Sequence, residues 1–316
     1  MSDATLLDRP ATAAAPAAFD IRPITPLLGA EIEGLDLSRP LDAPTIAALE
    51  KAIVDWKVLV FRDQPLTDDQ HVAFARQFGR LTPAHPYAEG LPGRPEIWQR
   101  HAEDYAPRHR PDNAIPSPRP PRDYRGWHID ISFVANPNRL SALRGVVVPP
   151  VGGDTLWSDL EAAYAALSPE IKAGIDNLKA VHGGGAYERS ERADGKAYVA
   201  LHPLVRVHPL TGRKSLFVSP GGTSHIVGLN ERENAALLNL LKAEVTRDEY
   251  QVRVRWEPDT LALWDNQNTA HAGPIDYAHF TAPRVVRRVT VAGEPPQGPD
   301  GFRSRPLVGE LFAALD

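Results

Sequence analysis

Leu261-Ala262-Leu263-Trp264-Asp265-Asn266-Gln267-Asn268-Thr269-Ala270-His271-Ala272-Gly273-Pro274 is the stretch that decides how this chain reads. Its first four residues form a short apolar run of strand character, a polar link follows, and Gly273-Pro274 turns the chain away after a lone histidine. Far upstream, Gly126-Trp127-His128-Ile129-Asp130 sets a histidine and an aspartate two positions apart. On an extended strand those two side chains leave the same face, while Ile129 points the other way, into the core. Trp127 and Phe133 make the neighbourhood half apolar, so Asp130 needs a partner or a metal to offset its desolvation. His128, Asp130 and His271 together supply two imidazoles and one carboxylate, a set that can hold a metal on one face and leave the other open. An oxygen-activating iron is the leading reading of these donors, and a zinc hydrolase is the other.

Outward from these motifs, strand patterns recur at Lys57 to Phe61, Leu140 to Val148, Ser215 to Val218, Val252 to Trp256 and Val285 to Val291. Helices are predicted from Thr45 to Asp55, from Thr67 to Phe78 and from about Glu231 to Ala243. Thr67 with Gln70 has the form of a capping box, and Gly79 is the expected stop. Ser158 with Glu161 is expected to cap an Ala-rich helix that Ser168-Pro169 interrupts or restarts. The pattern predicts a mainly β chain with flanking helices. Ala, Pro and Thr dominate residues 1–19, which read as a flexible tail ahead of a single domain over 20–316. Pro107, Pro111, Pro116, Pro118 and Pro120-Pro121 make residues 101–125 a loop or lid.

The composition narrows the function classes. A net charge of -5 with no basic run argues against nucleic acid as a partner. With no cysteine, the chain has no disulfide, no thiolate metal ligand and no cysteine nucleophile. Neither a signal-like start nor a run of membrane-spanning length is present, so no membrane contact and a cytoplasmic location are expected.

Several motifs together resemble the taurine dioxygenase and 2,4-dichlorophenoxyacetate dioxygenase family of Fe(II)/2-oxoglutarate-dependent oxygenases. They are Trp127-His128-Ile129-Asp130, Gly152-Gly153-Asp154-Thr155-Leu156-Trp157, His208-Pro209-Leu210-Thr211-Gly212-Arg213-Lys214, Trp264-Asp265-Asn266 with His271, and Arg284-Val285-Val286-Arg287-Arg288. The resemblance runs from about Ile21 to Pro296. It implies a double-stranded β-helix, a cupin-like jelly-roll core with helices packed around it. It implies Fe(II) on His128, Asp130 and His271, with 2-oxoglutarate and O2 as cosubstrates. It also implies Arg284 on the distal carboxylate of 2-oxoglutarate, with Thr155 donating to the same end. An arginine fork matches a carboxylate in two-point fashion, which a lysine does not.

By the same resemblance, Arg288 and His85 face a substrate anion, which would be a sulfonate, a sulfate ester or a carboxylate. The implied reaction hydroxylates a C–H bond while 2-oxoglutarate becomes succinate and CO2. A desaturase or oxidative cyclase of the same family is the alternative, and a noncatalytic metal or oxoglutarate sensor is a remote one. Gly222 departs from the taurine-specific pattern, which has an aromatic there, so a bulkier anion, whether an alkyl sulfate, an arylalkanoate or a functionalised amino acid, is expected over taurine. Tyr105, Arg108, His109 or Arg110 of the Pro-rich segment would reach that pocket if it closes. Arg287 has the opposite strand parity from Arg284 and Arg288 and is assigned away from the pocket. Asp265 and Asn266 are expected to support His271 rather than to bind metal. A homodimer or homotetramer is expected.

Overall fold

The computed structural model describes residues 19–101, 126–183, 197–273 and 283–316. The tail expected over 1–19 and the Pro-rich loop expected over 101–125 therefore lie outside the described residues, apart from their ends. Of those ends, Phe19 is buried in the core and His101 closes a strand.

The chain opens with β1 (Asp20–Pro23), β2 (Ala30–Glu33), α1 (Ala43–Trp56), β3 (Val58–Phe61), α2 (Asp68–Arg76) and β4 (Trp98–His101). After the motif around His128 come β5 (Leu140–Val147), β6 (Thr155–Asp159), α3 (Leu160–Ala166), α4 (Pro169–Ile175), β7 (Lys179–Gly183), β8 (Val199–Pro203), β9 (Val205–Val207) and β10 (Lys214–Leu216). The last part holds β11 (Thr223–Ile226), α5 (Glu231–Val245), β12 (Gln251–Val254), β13 (Leu261–Asp265), β14 (Thr269–Ala272), β15 (Val285–Val291) and β16 (Arg305–Val308).

Helix starts follow local chemistry. α1 begins before the predicted Thr45, because Asp42 accepts from the Thr45 amide and the proline beside it is tolerated in a first turn. The capping box of Thr67 and Gln70 on α2 is present as expected. α3 is capped one residue later than predicted. Asp159 accepts from the amides of Glu161 and Ala162, whereas the Ser158 hydroxyl donates to the Val245 carbonyl. Ser168 caps α4, with Pro169 next to it.

The strands form four sheets. The largest runs β1-β2-β3-β13-β5-β15-β4, and the others run β11-β7-β8-β16, β12-β6-β14 and β10-β9. All pairings are antiparallel except β2 with β3. The expected double-stranded β-helix is not what forms. Among the described residues each sheet is open, the largest ending in β1 on one side and β4 on the other, and none closes or curls on itself. The fold is a mixed β/α arrangement of several sheets. Strand patterns specify which residues extend but not which strands pair, and here β6 and β14 pair in a sheet separate from β5 and β13.

Period-two alternation explains how the large sheet is buried on both faces. In β13, Leu261 and Leu263 face α1 and α2, in a core with Leu49, Ile53, Val72 and Phe74. Ala262 and Trp264 face the three-stranded sheet, in a core with Trp157, Val252 and Val254. β3 divides the same way, Leu59 and Phe61 to the helices and Val58 and Val60 to the small sheet. A further core joins α3 and α5 to Leu216, Phe217 and Val218 and takes in Ile129. Among the described residues no helix is long and apolar enough to cross a membrane.

Three fully buried histidines lie in this framework. His71 sits 3.1 Å from the Ala142 carbonyl, and His202 bridges Ser304 and the Ser132 carbonyl. His182 stands 3.0 Å from the Thr223 hydroxyl. Burial pushes His71 down to about 4 and His202 to about 3, and it lowers His182 well below the usual range. The unfolded chain takes up protons at these positions near pH 6.5 that the folded chain refuses. Stability is thus full above that pH and is lost as pH falls toward the folded values, by up to about 1.4 kcal/mol per pH unit for each histidine. Urea midpoints measured at pH 7, 6 and 5 are expected to fall steeply over the last interval. A flat profile down to pH 5 would refute the assignment of these imidazoles as buried and neutral.

Candidate active site

His271 and His128 exchange two backbone hydrogen bonds, each amide donating to the other's carbonyl at 2.8 Å. This single bridge between β14 and the segment before β5 sets the two imidazoles side by side, with ring centroids 4.2 Å apart. The strand expected through Asp130 stops at that bridge. The chain turns from Asp130 onward, with Ile131 at φ +42°. The turn still delivers the carboxylate to the histidines: Asp130 Oδ1 lies 3.8 Å from His128 Nε2 and 3.7 Å from His271 Nε2. Ile129 points into the core, as the spacing predicted.

Among the described residues this is the cluster of His and carboxylate groups suited to a metal, its donor atoms lying within 4.8 Å of one another. His128 Nδ1 lies 2.7 Å from the Gly126 carbonyl. A carbonyl only accepts, so Nδ1 carries the proton and Nε2 presents its lone pair to the cluster. Burial, then the neighbouring His128, lowers His271 to about 3, which keeps it neutral at physiological pH. His128 is 46% exposed while Asp130 is 2% exposed and His271 is buried, so the cluster is open on the His128 side and sealed behind the other two groups.

Asp130 is held from several sides. Ser141 donates to Oδ2 at 2.7 Å, and the Arg288 guanidinium donates to Oδ1. Asn266 accepts from the Asp130 amide at 3.0 Å and donates to its carbonyl at 3.1 Å, and it also bonds Asn138. Burial opposes charging Asp130, but Arg288, both histidines and the Ser141 hydroxyl together hold its carboxyl well below the usual carboxylate range. Asn266 thus serves the aspartate rather than the His271 approach expected from sequence.

Arg288 stands opposite Trp98 across β15 and β4, with its guanidinium carbon 4.4 Å from the indole centroid. The His85 ring stacks on the same indole at 6.1 Å and meets Phe133 edge-on at 5.8 Å. The Tyr87 amide donates to His85 Nδ1 at 3.0 Å, leaving the ring proton on Nε2. Burial, then Arg288, lowers His85 to about 3, so it is a neutral donor. Tyr87 also meets Phe133 and Tyr198, and its hydroxyl accepts from the Tyr198 amide. Sequence reading named His85 and Arg288 but missed Trp98 and Tyr198 as an aromatic wall. Their only signal is an aromatic opening a short polar strand, Trp98 of β4, and one just ahead of a strand, Tyr198 before β8.

Thr155 opens β6 and accepts from the Trp256 indole at 3.0 Å, which leaves its hydroxyl hydrogen available to donate. Arg284 is buried just ahead of β15. Gly153, at φ +71°, lies so close that a Cβ there would meet Arg284 Cδ and Nε at 2.9 Å. The glycine loop before Thr155 and the arginine shaft are therefore packed together. Arg287 turns to the other face, as its parity predicted, and pairs with Asp68 of α2. Gly222 lies behind the cluster: a Cβ there would press on the hydroxyls of Ser219 at 2.9 Å and Ser132 at 3.1 Å. Ser219 in turn accepts from the Ile129 amide, so this turn backs the His128 motif.

The sequence profile of the "Taurine catabolism dioxygenase TauD, TfdA family" matches residues 20–290. An alpha-ketoglutarate-dependent sulfate ester dioxygenase of Pseudomonas putida is 37% identical, over 96% of this chain and 98% of its own. An alkylsulfatase of Acinetobacter baylyi is 33% identical, over 94% of this chain and 92% of its own. The crystal structure of a taurine dioxygenase from Burkholderia xenovorans superposes with a TM-score of 0.79 at 39% identity, covering 92% of this chain and 97% of that one.

Proposed function

The chain belongs to the taurine catabolism dioxygenase TauD, TfdA family of Fe(II)- and 2-oxoglutarate-dependent dioxygenases, and on that premise we propose that it hydroxylates alkyl sulfate esters at the carbon bearing the ester oxygen. The observation that carries this reading is the convergence at one carboxylate. His128, His271 and Arg288 all meet Asp130, which supports a metal position with a guanidinium beside it that would face a substrate anion.

His128, Asp130 and His271 would hold the iron, and their donor set and spacing fit a facial triad with open positions. Iron bound there supplies oxygen activation coupled to the decarboxylation of 2-oxoglutarate to succinate and CO2. Arg284 would receive the distal carboxylate of 2-oxoglutarate and Thr155 would donate to the same end. Arg288 and the neutral Nε2–H of His85 would orient the sulfate. Trp98, Phe133 and Tyr87 would seat the alkyl chain by burying it away from water. A hydroxyl placed on the ester carbon makes that carbon a hemiacetal-like centre. It collapses to an aldehyde, breaking the C–O bond to sulfate and releasing inorganic sulfate.

Purified protein with Fe(II), 2-oxoglutarate and O2 is to be assayed against alkyl sulfates, alkylsulfonates and aryloxyalkanoates. Succinate is quantified by mass spectrometry and sulfate by ion chromatography. Equal amounts of succinate, aldehyde and sulfate with an alkyl sulfate are the expected result. Substrate-dependent succinate with a sulfonate or carboxylate alone would move the substrate class. A product two mass units lighter than its substrate would replace hydroxylation by desaturation or ring closure.

A further inference from the structure

Asp265 ends β13 in the seven-stranded sheet and Thr269 opens β14 in the three-stranded sheet, so three residues carry the chain from one sheet to the other. Both halves of the donor cluster depend on that crossing. Asn266 within it fixes the backbone of Asp130, and His271 follows two residues after Thr269. The crossing is held by polar contacts. The Asp265 amide donates to the Lys57 carbonyl at 2.9 Å, and the Asn266 amide to the Arg139 carbonyl at 3.0 Å. The Gln267 amide donates to Asp265 Oδ1 at 2.8 Å, and the Thr269 hydroxyl to the Asp265 carbonyl at 2.8 Å.

Side chains from β9 and its continuation close on the same crossing. Arg206 donates to Gln267 Oε1 at 3.1 Å, and two residues later His208 brings Nε2 within 3.2 Å of Asp265 Oδ2. Spacing of two along an extended chain puts both side chains on one face. His208 and Asp265 are 1% and 2% exposed, so neither exchanges this contact for water. Asp265 Oδ2 and His208 Nδ1 are buried without a hydrogen-bond partner among the described residues, so the 3.2 Å approach of His208 Nε2 to Oδ2 is a close polar contact that offsets part of the cost of burying both groups and ties the crossing to β9. His208 is itself fixed by a tight turn, its amide donating to the Arg213 carbonyl and the Gly212 amide to its own carbonyl, both at 2.9 Å. Gly212 at φ +69° permits that turn.

We infer that His208, assisted by Arg206, is a positioning residue of the metal centre: through Asp265 it sets the crossing that spaces the Asp130 carboxylate and the His271 imidazole. The inference rests on the reading of His128, Asp130 and His271 as metal ligands. It assigns His208 no contact with metal or substrate.

The test is an anaerobic Mn(II) titration of the full chain, followed by electron paramagnetic resonance, with circular dichroism and urea midpoints recorded alongside. Wild type is the control, and its failure to bind Mn(II) would remove the metal reading on which this rests. His208→Phe is expected to weaken Mn(II) binding by about tenfold, at the lower end of what loss of an outer partner costs a site. His208→Gln keeps an N–H donor near the Nε2 position and is expected to recover most of that loss. A folded H208F protein whose Mn(II) affinity stays within about twofold of wild type would overturn the inference, since outer partners that matter cost more. If H208F does not fold, Asp265→Asn decides. It keeps the acceptor for Gln267 and removes the charge facing His208, so weakened binding supports the role and unchanged binding refutes it.

Discussion

Asp130→Ala is expected to weaken Mn(II) or Fe(II) binding by more than about 100-fold, beyond the range that losing an outer partner costs a metal site, and to abolish succinate formation. Asp130 is the only anion of the three clustered donors, and the two histidines beside it are neutral ligands at best. The same change is expected to destabilise the metal-free protein by about 3–5 kcal/mol, because it breaks a buried ion pair and leaves a charge behind. That charge is Arg288, whose side chain is 6% exposed against 2% for Asp130. Ser141 loses the acceptor for its hydroxyl as well.

Arg288 makes the experiment discriminating. The double variant Asp130→Ala/Arg288→Met is expected to recover much of the urea stability and none of the metal affinity, because the uncompensated cation is gone while the ligand is still missing. Arg288→Met alone is expected to tighten metal binding, since a buried carboxylate without its guanidinium gains more from a dication. It is also expected to abolish recognition of the sulfate ester. Metal affinity in Asp130→Ala within about tenfold of wild type would place the metal elsewhere.

The clustering of His128, Asp130 and His271 was legible in the sequence, because two imidazoles and a carboxylate fit one metal and the motifs around them resemble a known family. Arg284, Arg288 and Thr155 were singled out by that resemblance rather than by residue type. Arg287 was also legible, since a period of two put it on the opposite face, and its pairing with Asp68 follows. Strand pairing was not legible. β4, β7 and β14 read Trp-Gln-Arg-His, Lys-Ala-Val-His-Gly and Thr-Ala-His-Ala, too short and too polar to signal extension by themselves. They extend because β15, β8 and β6 offer them hydrogen bonds. The closed jelly roll failed for the same reason, since closure is a property of non-local pairing. The support around Asp130 was hidden too. Asn266 was read with His271, its neighbour in sequence, yet its bonds go to Asp130, 136 positions away. Side-chain amides act where the fold brings a backbone within reach, and sequence distance carries no record of that.

Arg284→Lys is expected to raise the Kd for 2-oxoglutarate by about 10- to 150-fold, the cost of one charge-assisted hydrogen bond at about 1.5–3 kcal/mol. Lysine keeps the positive charge but offers a point contact where the guanidinium presents a fork, so the loss isolates geometry from charge. Arg284→Met removes both and is expected to cost more. The shaft of Arg284 is pressed against Gly153, and Gly153→Ala would set a methyl 2.9 Å from Cδ and Nε at a backbone φ of +71° that alanine adopts only under strain. G153A is therefore expected to raise the same Kd by displacing the Arg284 side chain. Mn(II) affinity without 2-oxoglutarate serves as the internal standard in all three variants and is expected to stay at the wild-type value, because none of them alters a donor atom of the triad. Calorimetric titration of 2-oxoglutarate into the Mn(II)-loaded protein reads the effect. An unchanged Kd in Arg284→Met would remove Arg284 from the cosubstrate site, and an unchanged Kd in G153A alone would show that the loop yields without moving the guanidinium.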